Sequence, residues 1–208
     1  MLPGTQDEVE SIDAILRQKH IDVSLYTGAS ETESQIKTTD NPRVLHIATH
    51  GFFLQNIEKQ KEGMLLGMNK DQVAKYPLLR SGLQFTHAKQ AIKSGGDGVL
   101  TAMEAMNLNL DNTELVVLSA CETGLGEVRN GEGVYGLQRA FQTAGAQSVL
   151  MSLWTVSDEA TKLLMTCFYE NWIQKQLPKR EAFRQAQATL REKYPHSYYW
   201  AAFVMIGD

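Results

Sequence analysis

Three short apolar runs punctuate the chain, and segments with helical periodicity lie between them. The runs are Val44-Leu45-His46-Ile47-Ala48-Thr49-His50-Gly51, Leu115-Val116-Val117-Leu118-Ser119-Ala120-Cys121, and Ser148 to Trp154. Each is rich in β-branched or small residues and is bounded by turn residues, as a buried strand requires. Both faces of the first two are apolar, which predicts a parallel sheet covered by helices on both sides. The first helix is predicted from Gln6 to Gln18. Thr5 is its expected N-cap, acidic residues fill its first turn, and Val9, Ile12, Ile15 and Leu16 form its apolar stripe. Asp22 to Tyr26 alternates and predicts a short strand, Thr27 to Ser30 a turn, and Glu31 to Thr38 a short helix.

From Phe52 to Thr86 the pattern weakens, and Gly63, Gly67 and Pro77 interrupt it. A long loop with little regular structure is predicted there, apart from a short strand at Gly82 to Thr86. Long loops beside strand ends tend to carry function. Ser94 to Gly98 predicts a tight turn. Thr101-Ala102-Met103-Glu104 has the spacing of a capping box and opens a helix to Met106. A helix is predicted from Gly133 to Thr143, with Leu137, Ala140 and Phe141 inward and Gly145 at its end. Ser157 or Asp158 caps a long helix to Gln174, and Lys179 to Lys193 forms another. Pro195 to Tyr199 reads as a loop, and Ala201 to Ile206 as a final strand closed by Gly207. Strands therefore alternate with helices throughout. This predicts one three-layer α/β/α domain over residues 1–208 with a mainly parallel sheet.

Composition narrows the function. Residues are 43% apolar and 21% charged, an ordinary globular balance. The net charge of -4 argues against a broad nucleic-acid footprint. Two cysteines are too few for a disulfide scaffold and suit a reducing compartment. No apolar run approaches the roughly 20 residues of a membrane span. The first residues lack the basic and apolar regions of a signal peptide. The expected location is the cytoplasm, with neither membrane nor direct nucleic-acid contact.

The chemistry concentrates at two strand ends. In open parallel sheets, sites form just past the carboxyl ends of the strands, and His50 and Cys121 each stand at such an end. A thiol before a glycine-rich loop is a candidate nucleophile, and an imidazole beside it would take its proton and pass it to a leaving amine. The bland alternatives are a buried small hydrophobe and a core histidine. Cys167 shares a helix with Leu163, Leu164 and Phe168 and is expected to pack. His46 lies deeper in its strand and is expected to be structural. A zinc pair with His50 would need a glutamate where Ile47 stands. Amides of Gly51 and Cys121 could stabilise an oxyanion, because a glycine lets substrate approach its backbone. Asp158, past the third strand, is both a helix cap and a carboxylate able to pair with a Lys or Arg of a substrate. Gly131-Glu132-Gly133-Val134-Tyr135-Gly136 spells G-x-G-x-x-G, but Leu125 to Asn130 separates it from the strand, and Glu132 would repel a pyrophosphate. No cofactor and no metal are expected.

Taken together, His50-Gly51, Leu118 to Gly124, Gly131-Glu132-Gly133, Leu153 to Asp158 with Ala160-Thr161, and Tyr198 to Phe203 with Ile206-Gly207-Asp208 resemble a CHAT domain. Leu2-Pro3-Gly4-Thr5 resembles the usual opening of that domain. CHAT domains are similar to caspases, separase, gingipain and clostripain. The resemblance implies a caspase-haemoglobinase fold and a His–Cys dyad with His50 as general base and acid and Cys121 as nucleophile. It also implies Gly51 and Cys121 amides as oxyanion donors, and Asp158 at the position that receives a basic P1 side chain. The implied activity is a cysteine endopeptidase on protein or peptide substrates, in bacterial signalling or defence, under a regulatory partner or a tetratricopeptide sensor domain. The alternatives are a catalytically silent interaction module and an acyl hydrolase of non-peptide substrates.

Overall fold

The computed structural model describes residues 3–30, 32–54, 64–65, 68–85, 98–119, 127–129, 133–155 and 157–207. In chain order the elements begin with α1 (Pro3–Gln18), α2 (Glu33–Lys37), β1 (Val44–Ala48), β2 (His50–Phe53), β3 (Met64–Leu65), β4 (Met68–Asn69), α3 (Lys70–Lys75), β5 (Ser81–Gln84) and β6 (Val99–Thr101). They continue with α4 (Ala102–Ala105), β7 (Leu115–Ser119), β8 (Glu127–Arg129), β9 (Gly133–Tyr135), α5 (Leu137–Thr143), β10 (Ser148–Ser152), α6 (Asp158–Tyr169), α7 (Lys179–Lys193), α8 (Ser197–Trp200) and β11 (Phe203–Gly207). The fold is mixed α/β with a mainly parallel central sheet, as the sequence predicts. Two compact units form, one from Met1–Thr27 with Thr155–Val204, the other from Gly28–Trp154 with Met205–Asp208.

The central sheet has the order β1-β7-β10-β11, and the second unit holds β1, β7, β10 and β11 from Met205 onward. β1 and β10 both run parallel to β7. Every residue of β7 and β10 is buried, which is why their sequences, apart from the serines at their ends, are apolar without alternation. β1 alternates instead: Leu45 and Ile47 are buried, while Val44, His46 and Ala48 are half-buried. Only Thr49 separates β1 from β2, which leaves the parallel sheet and starts a three-stranded antiparallel sheet in the order β2-β5-β6. The expectation of a long, largely irregular loop from Phe52 to Thr86 is corrected here. That stretch carries the end of β2, β3, β4, α3, a short 3₁₀ turn at Pro77–Leu79, and β5. Its pairing depends on a close approach that local pattern does not reveal. Phe52 lies opposite Gly82, and a Cβ at Gly82 would come within 2.7 Å of the Phe52 ring and 2.6 Å of the Leu100 carbonyl.

A charged clasp ties α2 to the start of α4 in this unit. Thr32 caps α2. The Glu33 carboxylate, 4% exposed, accepts from the Gly98 N–H at 3.0 Å and pairs with Lys37. Lys37 also reaches Glu104 at 2.7 Å, and Glu104 closes the expected capping box with Thr101. For Glu104, burial is the largest influence and pushes its pKa up, but hydrogen bonds from Lys37 and Thr101 outweigh it and hold the carboxyl below its usual range. Lys37 is held above its usual range, since its bonds to Glu104 and Glu33 overcome the opposing effect of burial.

The first unit is helical. α1 packs on α6, and α6 packs on α7. The predicted α1 is present, but it begins at Pro3, so Thr5 lies within its first turn and is not the cap. Proline suits a first turn, where its missing N–H has no intrahelical partner to lose. Ile12 and Ile15 are buried as expected, and so is Glu8 on the same face. Ser157 caps α6, its side chain accepting from the Ala160 N–H. The α-helix stops at Tyr169, and a π-helical turn, Glu170–Gln174, completes the predicted length. There Asn171 is buried, donates to the Ala182 carbonyl at 3.3 Å and accepts from Lys175 at 2.8 Å.

Other expectations are corrected. Asp22 to Tyr26 forms no strand. The helix predicted from Gly133 starts at Leu137, because Gly133–Tyr135 pairs with Glu127–Arg129 as a hairpin. The loop predicted at Pro195 to Tyr199 contains the start of α8, capped by the His196 side chain. The last strand is β11, two residues later than expected at its start. The turn expected from Ser94 lies, up to Asp97, outside the described residues.

Candidate functional site

The site is built from the carboxyl edge of the parallel sheet. β1 and β7 are in register from Val44 opposite Leu115 to Ala48 opposite Ser119. Thr49 turns the chain, and His50 opens β2 opposite Gln84. The His50 side chain is exposed, and among the described residues it has no hydrogen-bond or ion-pair partner. Among the described residues, neither ring nitrogen is taken up by another group. Gly51 follows, half-buried and paired with Leu83, so it is a strand residue and not a turn glycine.

Cys121 comes two residues after Ser119 in the sequence and lies outside the described residues. His46 sits mid-strand on β1, half-buried and opposite Val117, deeper than His50 as expected. Cys167 is on α6. Burial, aided by the charge of Glu170, pushes its thiol above the ordinary range, which suits a packing role. Of the glycine-rich decoy, Gly133–Tyr135 is strand β9 and Gly136 caps α5 without a side-chain bond, while Gly131 and Glu132 lie outside the described residues.

Asp158 belongs to the helical unit and is the first residue of α6. Its side chain is exposed and makes no ion pair among the described residues. It lies against Gly4 of α1 so closely that a Cβ at Gly4 would overlap the Asp158 Cβ and bring its Oδ2 within 2.5 Å. No group of three or more His, Cys, Asp or Glu side chains able to hold a metal ion occurs among the described residues. No helix among them is long and apolar enough to cross a membrane.

Against known families, the model of the CHAT domain matches residues 1–208. This chain belongs to the CHAT family. The family is caspase-like and peptidase-related, and the mixed α/β fold with its parallel central sheet is consistent with a caspase-like α/β/α sandwich. Among curated proteins, tetratricopeptide repeat protein 28 of Mus musculus and of Homo sapiens are each 36% identical to this CHAT chain over 113 residues. The match takes in 53% of the CHAT chain but only 4% of either relative's length.

Sequence reasoning missed two residues at the site, Thr49 and Gln84. Thr49 is 7% exposed, and its hydroxyl donates to the Gln84 carbonyl. One signal was available: Thr49 falls on the buried parity of Leu45 and Ile47, where a hydroxyl needs a partner.

Proposed function

We propose that this CHAT chain is a cysteine endopeptidase with a His50–Cys121 dyad, cleaving protein substrates after Arg or Lys. The observation that carries the proposal is the β1–β7 register. Ala48 lies opposite Ser119, and His50 and Cys121 each follow two residues later in the chain. An exposed imidazole with no partner among the described residues suits a proton shuttle. In the proposed reaction His50 takes the Cys121 proton and the thiolate attacks the scissile carbonyl. Amides of Gly51 and Cys121 stabilise the resulting oxyanion. The C–N bond then breaks as His50 protonates the leaving amine, and water hydrolyses the acyl-enzyme.

A thiol-reactive probe tests the nucleophile. Iodoacetamide offered well below pH 8 is expected to alkylate Cys121 and spare Cys167, whose thiol is raised by burial. Equal labelling of the two, mapped by peptide mass spectrometry, would count against an activated Cys121.

The basic P1 preference is assigned to Asp158. A charge-assisted bond from a substrate guanidinium contributes roughly 1.5–3 kcal/mol. Asp158→Asn is thus expected to lower the Arg-over-Leu ratio of kcat/KM by about 10- to 100-fold. Because the side chain is exposed, the unfolding midpoint should move little. An unchanged ratio would remove Asp158 from the pocket.

The relatives support a second reading. Their name denotes tetratricopeptide repeats, and a partner or sensor of that kind suits an interaction module that has the fold without cleavage. That reading predicts no Cys121-dependent product from any peptide.

A further inference from the structure

Thr49 stands where the chain passes from one sheet to another. Leu45 and Ile47 bury one row of β1, and Thr49 continues that row with 7% of its surface exposed. Valine would fill the same volume without a hydroxyl to desolvate, so packing alone does not favour threonine. Its hydroxyl bonds to the Gln84 carbonyl, 35 residues away in sequence. Gln84 is the register partner of His50, and it also pairs with Val99 of β6. One side-chain bond thus joins the end of the parallel sheet to the middle strand of the antiparallel one, next to the imidazole.

We propose that Thr49 is a positioning residue: its hydroxyl, bonded to the Gln84 carbonyl, fixes the β1–β2 corner and so sets where the His50 imidazole stands. The inference rests on the peptidase reading for its catalytic meaning, but its geometry is independent of it. β2 is held to β5 by its own ladder and by the Phe52 ring over Gly82. Without the Thr49 bond, β2 keeps its partner while its first residue gains freedom relative to the end of β1. A dyad is sensitive to such freedom, since small misplacements of a catalytic group cost rate more than binding. Removing the bond therefore acts on kcat, with KM nearly unchanged.

The test compares Thr49→Val, which keeps the shape and removes the donor, with Thr49→Ser, which restores it. On a basic-P1 peptide, Thr49→Val is expected to lower kcat by about 10- to 100-fold with KM within about twofold, and Thr49→Ser to recover most of the loss. Wild-type kcat in Thr49→Val overturns the proposal, as does a Thr49→Ser variant no better than Thr49→Val. The His50 Cε1–H resonance supplies a readout that needs no turnover. It should shift and broaden in Thr49→Val and return in Thr49→Ser, while superimposable spectra overturn the proposal. Absence of Cys121-dependent cleavage in the wild type would sink the peptidase reading alone, and the His50 resonance would then decide for or against Thr49. Should Thr49→Val fail to fold, Thr49→Ala removes the same donor with less bulk and takes its place.

Discussion

Cys121→Ala is expected to reduce cleavage of a basic-P1 peptide to background, and His50→Ala to do the same. Removing a nucleophile or its proton acceptor typically costs roughly 10⁴- to 10⁶-fold in kcat. In the proposed dyad the two side chains act as a unit, so the double variant should be no worse than either single one. His50 is exposed and makes no bond among the described residues, so its loss should change stability by no more than about 0.5 kcal/mol. Activity and folding are thereby separated: peptide turnover reads the first, and the thermal unfolding midpoint reads the second. Substantial turnover by Cys121→Ala would transfer the chemistry to another group and end the dyad assignment.

The largest stability effect is expected in the helical unit. Phe168 is fully buried on α6. Its ring stacks on Trp172 with centroids 5.5 Å apart, meets Tyr169 edge-on at 5.2 Å and stands perpendicular to Phe183 at 6.2 Å. These four rings link α6, the π-helical turn and α7. Phe168→Ala removes the shared member and leaves a cavity that three rigid neighbours cannot fill. The expected loss is about 3–5 kcal/mol, read from the urea midpoint at unchanged slope. Phe168→Leu keeps much of the volume and should cost less. Equal effects of the two would mean that the rings do not pack as a cluster.

Local chemistry was legible in the sequence wherever both partners lie close along the chain. The Thr101–Glu104 capping box, the Ser157 cap and the full span of α7 were each readable from a few adjacent residues. β7 and β10 were legible because burial on both faces leaves an unbroken apolar run. Asp22 to Tyr26 misled, since its alternation resembles a strand but a strand exists only with a ladder partner. Gly133 to Tyr135 misled in the opposite sense. The helical signal of Leu137, Ala140 and Phe141 was extended backwards over a Val-Tyr pair that prefers a pleated surface. The β2–β5 pairing was hidden because it depends on a glycine some 30 residues from the ring that covers it.

The candidate site divides in the same way. That His50 lies just past the β1 run was legible from the apolar pattern, but that His50 and Gly51 open a second strand was not. The role of Thr49 was not legible either, because its partner is a main-chain carbonyl, which every residue possesses and no residue type announces. Glu8 on the buried face of α1 also escaped notice. Its charge adds to burial, the larger cause, in pushing the hydroxyl of the fully buried Tyr169 above its ordinary range.

The helical unit is assembled from two stretches of polypeptide, with residues 28–154 between them. During synthesis α1 leaves the ribosome long before α6 and α7 exist. At ordinary elongation speeds the delay is on the order of ten seconds. Through that interval α6, against which α1 packs, is not yet present to help cover Ile12 and Ile15. The nascent chain thus presents a sticky amphipathic stripe early and closes it late, so chaperone demand should fall on this unit during translation.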